Sequence, residues 1–277
     1  MAIETITVAT DLSERSEKAV QRAAALARQH DAALTVLSVI DEDLPDDLEE
    51  LLVEKTRAAI TTLLETLEAP RNVTIDVRAG DPVEEMIAAT HAMVDLFVVG
   101  THRRRAFLDV MWETTAQKTV RHAPCPVLLV REDSSRPYAA AVVATDFSQA
   151  STKAARQAAT LAPGIALHPV NALHVPYEGR LARAPGAAAP LEAAFLNDAT
   201  ASAEAWQASL TLEEASCGPV TIEKGGAGAV IARAVEEQGV PLLAIGAHGR
   251  AGALPAILGS VANDLLREPP CDVLIVR

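Results

Sequence analysis

ITVATDLS, at residues 6–13, returns as AVVATDFS at residues 141–148, and in both places an apolar run leads into a Thr-Asp pair. The ends of the two halves also match, because RHAPCPVLLVR (121–131) corresponds to REPPCDVLIVR (267–277). From Val94–Arg131 to Val240–Arg277 the halves align without a gap. Self-similarity at this distance predicts that one domain occurs twice in the chain.

Short apolar segments alternate with helical ones in each half. We predict strands at 3–9, 33–39, 73–78, 96–99 and 127–130, and again at 139–144, 166–174, 220–224, 242–245 and 273–276. Ser13 and Ser148 are the expected caps of the helices that follow the first strands. Such alternation predicts an α/β fold with two tandem Rossmann-like or flavodoxin-like domains, each a five-stranded parallel doubly wound sheet of order 3-2-1-4-5.

The polar stretch EDSSRP (132–137) has the composition of a linker, so we predict domains at 1–133 and 138–277. The final strands, VLLVR and VLIVR, are expected at sheet edges, where the two copies can pair and pack as a pseudo-dimer within one polypeptide. A further homodimer of tandem chains is compatible with this arrangement but not required by it.

Composition excludes several classes of function. A net charge of −13 argues against a nucleic-acid partner, and no apolar run is long enough to span a membrane. The three cysteines form neither a disulfide framework nor a metal-ligand pattern, so no resident metal is predicted. Cys125 and Cys271, at equivalent positions, are expected to be buried structural thiols. A cytoplasmic location is the expectation.

The second half contains a glycine-rich loop, LLAIGAHGRAGALPAILGSVANDLL at 242–266. Gly246 lets the chain leave a strand, Gly249 lets a ligand approach the backbone, and Gly259-Ser260 opens a helix whose free N–H groups attract an anion. Ser260 can cap that helix or donate to a phosphate, while His248 and Arg250 can add stacking and charge. On spacing alone, a loop that merely turns is an equal alternative.

Asp146 ends the first strand of the second half, at the sheet edge where this loop emerges. Two interpretations remain open for its carboxylate: it meets a ribose or a bound cation, or it only caps the following helix.

The combination of VVATDFS, GAHGRAG…GS and an apolar strand after PPC resembles the universal stress protein family. ATP-binding members of that family carry Gly-x2-Gly-x9-Gly-(Ser/Thr), which the second half matches at every position. The resemblance implies a tandem member that binds ATP, ADP or AMP, with Mg²⁺ reaching Asp146 through the nucleotide. It also implies that a small apolar residue after the second strand, near Val175, contacts adenine. The implied nucleotide-binding residues are Ala144, Thr145, Asp146, Val175, Gly246, His248, Gly249, Arg250, Gly259, Ser260 and Val261.

The first half departs from this motif, reading Gly100, Arg103, Glu113 and Thr114 at the matching positions. Arg103 replaces a glycine where backbone must approach a phosphate, and Glu113 puts a carboxylate where the phosphate would sit. We therefore expect the first half not to bind ATP in the usual way. The residues 103–105 either form internal ion pairs or hold another anion.

These observations predict a nucleotide-binding stress-response or regulatory protein. One adenine nucleotide is held by the second domain, the first domain is a partner or scaffold, and a regulatory protein partner remains to be identified. With no Walker lysine and no evident base, efficient catalysis is not expected. The alternatives are a slow ATPase, a nucleotidyl or phosphoryl transferase, and a carrier of a small apolar ligand under a lid formed by residues 176–190.

Overall fold

The computed structural model describes residues 2–40, 45–67, 70–101, 114–131, 136–176, 188–212, 214–249 and 258–277. The elements of the first half are β1 (Thr5–Ala9), α1 (Glu14–His30), β2 (Ala33–Ile40), α2 (Asp46–Thr66), β3 (Val73–Ala79), α3 (Pro82–Thr90), β4 (Leu96–Gly100), α4 (Thr115–His122) and β5 (Val127–Val130). Those of the second half are β6 (Ala140–Ala144), α5 (Gln149–Leu161), β7 (Ala166–Leu173), α6 (Ala188–Ser209), β8 (Ser216–Cys217), β9 (Thr221–Lys224), α7 (Ala227–Gln238), β10 (Leu242–Gly246), α8 (Ser260–Arg267) and β11 (Asp272–Val276).

One sheet runs through both halves, in the order β3-β2-β1-β4-β5-β11-β10-β6-β7-β8, with β9 also paired to β7. Within each half the strands are parallel and follow the order 3-2-1-4-5, which confirms the predicted fold. The short strand β8 was not predicted. It adds a second segment beside β7, ahead of the predicted third strand.

The two halves join where β5 and β11 pair antiparallel, with Leu128 opposite Leu274. This pairing confirms the predicted pseudo-dimer and removes one open edge from each half. Apolar clusters then continue across the junction on both faces of the sheet, the α1 and α5 face and the α3, α4, α7 and α8 face. The second face carries the helix α8, whose first residues border the site described below.

Serine side chains begin the first helix of each half, as predicted. Ser13 accepts a hydrogen bond from the Ser16 N–H, and Ser148 accepts one from the Ser151 N–H. Capping of this kind satisfies N–H groups that have no partner within the helix. The helices therefore begin directly after the strands β1 and β6, which brings their first turns to the carboxyl edge of the sheet.

A buried polar cluster formed by Arg22, Tyr138 and Asp272, named here the junction cluster, ties the halves together. Asp272 is fully buried and lies 3.4 Å from the Arg22 guanidinium; it accepts hydrogen bonds from the Tyr138 hydroxyl (2.6 Å) and the Arg131 N–H (2.7 Å). The guanidinium also stacks 4.2 Å from the centroid of the Tyr138 ring. In addition, the guanidinium donates to the Arg136 carbonyl at 2.6 Å, while the buried Arg22 Nε has the carboxylate at 3.4 Å and no hydrogen bond among the described residues. Most polar atoms of this buried charge pair are therefore satisfied, as its stability requires.

Among the helices that the structure describes, none is long and apolar enough to cross a membrane. The segment 176–190, predicted as a lid in one of the alternatives, lies for the most part outside the described residues.

Candidate functional site

The end of β6 forms a tight turn that fixes Asp146. Phe147 adopts a left-handed backbone conformation (φ 67°), and its N–H donates to the Thr145 hydroxyl at 2.9 Å. The Asp146 carboxylate accepts from the Ser148 N–H at 3.1 Å. Because Ser148 caps α5, Asp146 is not the cap of that helix, and its half-buried carboxylate borders a cavity.

The same turn occurs in the first half, where Leu12 has φ 58° and donates to the Thr10 hydroxyl. There the Asp11 carboxylate accepts from the hydroxyls of Ser13 (2.6 Å) and Ser16 (2.7 Å). Burial alone would raise the pKa of Asp11, but the hydrogen bonds from these two serines lower it by more than burial raises it. The pKa of Asp11 therefore lies below its ordinary value. The Asp11 carboxylate is thus hydrogen-bonded to residues at the start of α1.

Gly246 has a packing role rather than the turning role that we predicted. A Cβ atom at this position would lie 2.8 Å from the Ala150 Cβ, so the glycine lets α5 approach β10. At the matching position, a Cβ on Gly100 would lie 2.8 Å from the Arg15 carbonyl oxygen. This shared need explains why the first glycine of the motif is present in both halves, including the one that lacks the rest.

Gly249 lies beside Asp146. A Cβ atom there would be 3.0 Å from the Asp146 Oδ2, so a larger residue would press on the carboxylate. His248, half-buried, borders the same cavity. The predicted contribution of Arg250 falls outside the described residues, as do Arg103, Arg105 and Glu113 of the first half.

The helix α8 begins without a side-chain cap. Gly259 is its N-cap residue (φ −61°, ψ 150°), and Ser260 is its first helical residue, so Ser260 does not cap the helix as one interpretation had it. The Gly259 N–H donates to the Ala247 carbonyl at 3.0 Å. The first N–H that bonds to a carbonyl of the helix start is that of Asn263, which donates to the Gly259 carbonyl at 2.9 Å. The N–H groups of Ser260, Val261 and Ala262 therefore have no intrahelical acceptor.

The equivalent helix of the first half, α4, begins with a side-chain cap. Thr114 caps it by accepting from the Gln117 N–H (3.1 Å), and the Gln117 Oε1 accepts from the Thr114 N–H (2.8 Å), which completes a capping box. The two halves thus begin the same helix differently: α8 has no side-chain cap from the described residues, whereas the capping box of α4 satisfies the N–H groups of Thr114 and Gln117.

A cavity of about 410 Å³ opens in front of α8 and between β6 and β10. The predicted residues that line it are Ala144, Thr145, Asp146, Gly246, His248, Gly249, Gly259, Ser260 and Val261. Nine other lining residues, mostly apolar, had no sequence motif to indicate them: Ser151, Val170, Asn171, Ala172, Ala227, Ile231, Ile245, Ala247 and Ala262. The volume lies within the range of small-molecule sites, which are mostly apolar with a few placed polar groups.

Val175 is not among the described residues that line the cavity. It is buried instead in a separate apolar cluster with Leu173 and Ala199. In the first half Ala9 pairs with Leu37, and in the second Ala144 pairs with Val170, so the connection is two residues shorter in the second half. Ala172 therefore corresponds to Val39, where the 135-residue offset between the copies would give His174.

Asn171 fastens the two strands at the floor of the cavity. It is 9% exposed, and its Nδ2 donates to the Thr145 carbonyl at 2.8 Å. A carbonyl can only accept, so this bond fixes the orientation of the amide. No sequence motif pointed to Asn171, but its position one residue past the paired Val170 could have suggested it.

The cysteines and the side chains that could bind a metal form no second functional site in the part of the chain that the structure describes. Cys125 and Cys271 are buried, and burial raises the pKa of Cys125 to about 11, which disfavours the nucleophilic thiolate. In the part of the chain that the structure describes, no group of three or more His, Cys, Asp or Glu side chains could hold a metal ion.

Comparison with known proteins matches both halves of the chain. The sequence model of the universal stress protein family matches residues 2–131 and again residues 137–277. A universal stress protein encoded in the QAH/OAS sulfhydrylase 3′ region of Thermus aquaticus is 34% identical over 137 residues, which are 46% of this chain and 98% of that protein.

Two solved structures add to this comparison. The crystal structure of a universal stress protein from Archaeoglobus fulgidus superposes with a TM-score of 0.70 at 21% identity, covering 99% of this chain and 98% of that one. That likeness extends the fold over both halves together. A universal stress protein in complex with cAMP covers 47% of this chain and 98% of its own, at 20% identity and a TM-score of 0.38.

Proposed function

The chain belongs to the universal stress protein family as a tandem member, and on this premise we propose that its second domain binds one adenine nucleotide (ATP, ADP or AMP) in a regulatory role. The first domain serves as its partner and scaffold. The domain limits 1–133 and 138–277 and the cytoplasmic location are part of this proposal.

The observation that carries the proposal is the difference between the starts of α8 and α4. At the start of α8 no described side chain caps the helix, and the N–H groups of three cavity-lining residues have no intrahelical acceptor, whereas at α4 Thr114 and Gln117 form a capping box. Unpaired N–H groups and the helix dipole together favour a bound anion such as a phosphate. The single open helix start supports one nucleotide per chain rather than two.

The rest of the cavity suits a nucleoside attached to that phosphate. Val170, Ala172 and Ile231 offer an apolar wall for a base, while Thr145 and Asp146 supply polar atoms at the strand end for a ribose. When phosphates are bound with Mg²⁺, the Asp146 carboxylate is the acidic group at hand for the ion. Phosphate binding at Gly259 and ribose binding at Asp146 would then hold the ligand at two separate points.

The first experiment is to denature freshly purified protein and identify the released small molecules, with their stoichiometry per chain. We expect about one adenine nucleotide. Calorimetry with ATP, ADP, AMP, cAMP and GTP then ranks the ligands. Two nucleotides per chain would overturn the assignment of one site. No nucleotide in either experiment would overturn the function, and a bound lipid or other small hydrophobe would favour the apolar carrier.

A variant that copies the first half tests the phosphate position. Gly259→Glu places a carboxylate at the helix start, and we expect ADP to bind at least about tenfold more weakly because of charge repulsion and loss of the open N–H groups. Gly259→Ala is the matched control: a Cβ there lies 3.4 Å from the Ala247 oxygen, an ordinary contact, and the φ of −61° accepts any residue. Equal affinity in Gly259→Glu would disprove the phosphate assignment.

Hydrolysis is the second role to be measured. Turnover of ATP that is lost in Asp146→Ala while nucleotide binding persists would support the slow-ATPase alternative. We expect binding without efficient turnover, since the cavity's described lining contains no lysine.

A further inference from the structure

The contact between α4 and α8 joins the two domains at the open end of α8. Gln117 on α4 is 1% exposed, and its Nε2 lies 3.3 Å from both the carbonyl oxygen and the Oδ1 of Asn263 on α8. Asn263 in turn donates its N–H to the Gly259 carbonyl at 2.9 Å. A side chain of the first domain is thus two hydrogen bonds away from the N-cap residue of α8.

The orientation of the Gln117 amide is fixed by its own helix. Its Oε1 accepts from the Thr114 N–H, which can only donate, so the Nε2 group must face away from that N–H and toward α8. The capping box that closes α4 therefore also aims a donor at the second domain. Thr114 keeps its hydroxyl in a half that has lost two of the three glycines of the motif, and this pairing gives the hydroxyl a use that needs no ligand.

We propose that Gln117 of the first domain is a positioning residue for the phosphate-binding end of the second domain. The proposal rests on the function proposed above and adds a specific task for the first domain. The helix α8 has eight residues and no side-chain cap, so its first turn depends on neighbours for its placement. Its apolar side is held by the buried Ala262 and Leu265, and Gln117 supplies a polar contact from the other domain.

The placement of a ligand-binding group matters over distances below 1 Å, because a site must hold its donors close to the bound geometry. Loss of the Gln117 contact should loosen the first turn of α8 and weaken binding of the phosphates. The apolar wall is formed by β7 and α7, whereas the side-chain hydrogen bonds of Gln117 run to Thr114 and Asn263, so binding of the base should be unaffected.

The test compares ADP with adenosine by calorimetry in the full-length protein. For Gln117→Ala we expect ADP affinity to fall about five- to tenfold, the value of one hydrogen bond, with adenosine affinity within about twofold of the unaltered protein. Gln117→Met, of similar size and neutral, should do the same and guards against loss of folding in the smaller variant. Circular dichroism and urea unfolding check both variants.

Arg131→Ala is the matched control. It removes another hydrogen bond between the domains, from the exposed Arg131 guanidinium to the Pro270 carbonyl, which follows the last residue of α8 and not its first turn. We expect it to leave both affinities unchanged. In Asn263→Ala, the added change Gln117→Ala should cost less ADP affinity than it does alone, because the two side chains act on one contact.

The outcomes separate the proposals. Unchanged ADP affinity in both Gln117 variants, or an equal loss for ADP and adenosine, would overturn the positioning role while leaving nucleotide binding intact. An unaltered protein that binds neither ligand would overturn the proposed function and this inference together.

Discussion

At the residue scale, the two copies of Gly-x2-Gly-x9-Gly-(Ser/Thr) separate what the fold needs from what a ligand needs. A Cβ atom added at Gly246 or at Gly100 would lie 2.8 Å from an atom of the neighbouring helix. The first glycine of the motif is therefore needed for the packing of α5 on β10 and of α1 on β4. Gly259 meets nothing closer than an ordinary contact. Its lack of a side chain therefore matters to the helix start and not to the packing.

We predict that Gly246→Ala destabilises the protein by about 1–3 kcal/mol, as overpacking commonly does. Urea unfolding measures the change. Gly228→Ala is the control, because a Cβ there meets no atom within 4 Å and the position lies in α7, where alanine is favoured by up to about 1 kcal/mol. Equal effects from the two substitutions would contradict the packing role of Gly246.

Cys125 gives a pH dependence with a definite sign. Burial raises its pKa from 9.0 to about 11, so the folded state holds the proton more tightly than the unfolded chain. Its contribution to stability is complete below pH 9 and is lost as the pH rises toward 11. The free energy of unfolding in urea should therefore fall as the pH rises from 9.0 toward about 11, and the fall should be smaller in Cys125→Ala. An equal fall in that variant would assign the pH dependence to other groups.

At the element scale, the start of α8 shows where binding and stability oppose each other. A serine at position 259 could accept from the helix N–H groups, as Thr114 does in α4. We predict that Gly259→Ser raises stability by a few tenths of a kcal/mol, the usual difference between these N-caps, and weakens ADP binding because the side chain competes for the same donors. Thermal unfolding measures the stability, and calorimetry measures the affinity for ADP. A variant with higher stability and also higher ADP affinity would contradict the proposed competition.

Most elements could be predicted from the sequence, because apolar strands and serine caps are local signals. Two features of the site could not. The sequence leaves open whether Ser260 caps α8 or donates to a phosphate, and only the structure shows that Gly259 is the N-cap residue. The resemblance implies an adenine contact near Val175, but the structure buries Val175 in a separate cluster and brings Val170 and Ala172 to the cavity, a placement that depends on the pairing of β6 with β7.

At the scale of the whole molecule, the two domains share one sheet and one junction cluster. Arg22 and Asp272 stand far apart in the sequence and belong to different copies, so no local pattern could have paired them. We predict that Asp272→Ala costs about 3–5 kcal/mol, because it leaves the buried Arg22 without its counter-charge. A single unfolding transition that moves to lower urea would fit this; a change below about 1 kcal/mol would show that the cluster contributes little.

The junction cluster occurs once, because the repeat has Pro126 where the second copy has Asp272, and Gln157 where the first has Arg22. An interface between identical chains would have to contain every such contact twice. Fusion of the copies allows β5 and β11 to differ in sequence, and this difference favours one strand pairing over the other during assembly. In a pair of β11 strands from separate molecules, each buried Asp272 would meet a second copy that has Gln157 in place of Arg22, and the carboxylate would lack its counter-charge, which is costly. Each newly made chain is thereby biased to pair β11 with β5 rather than with another β11.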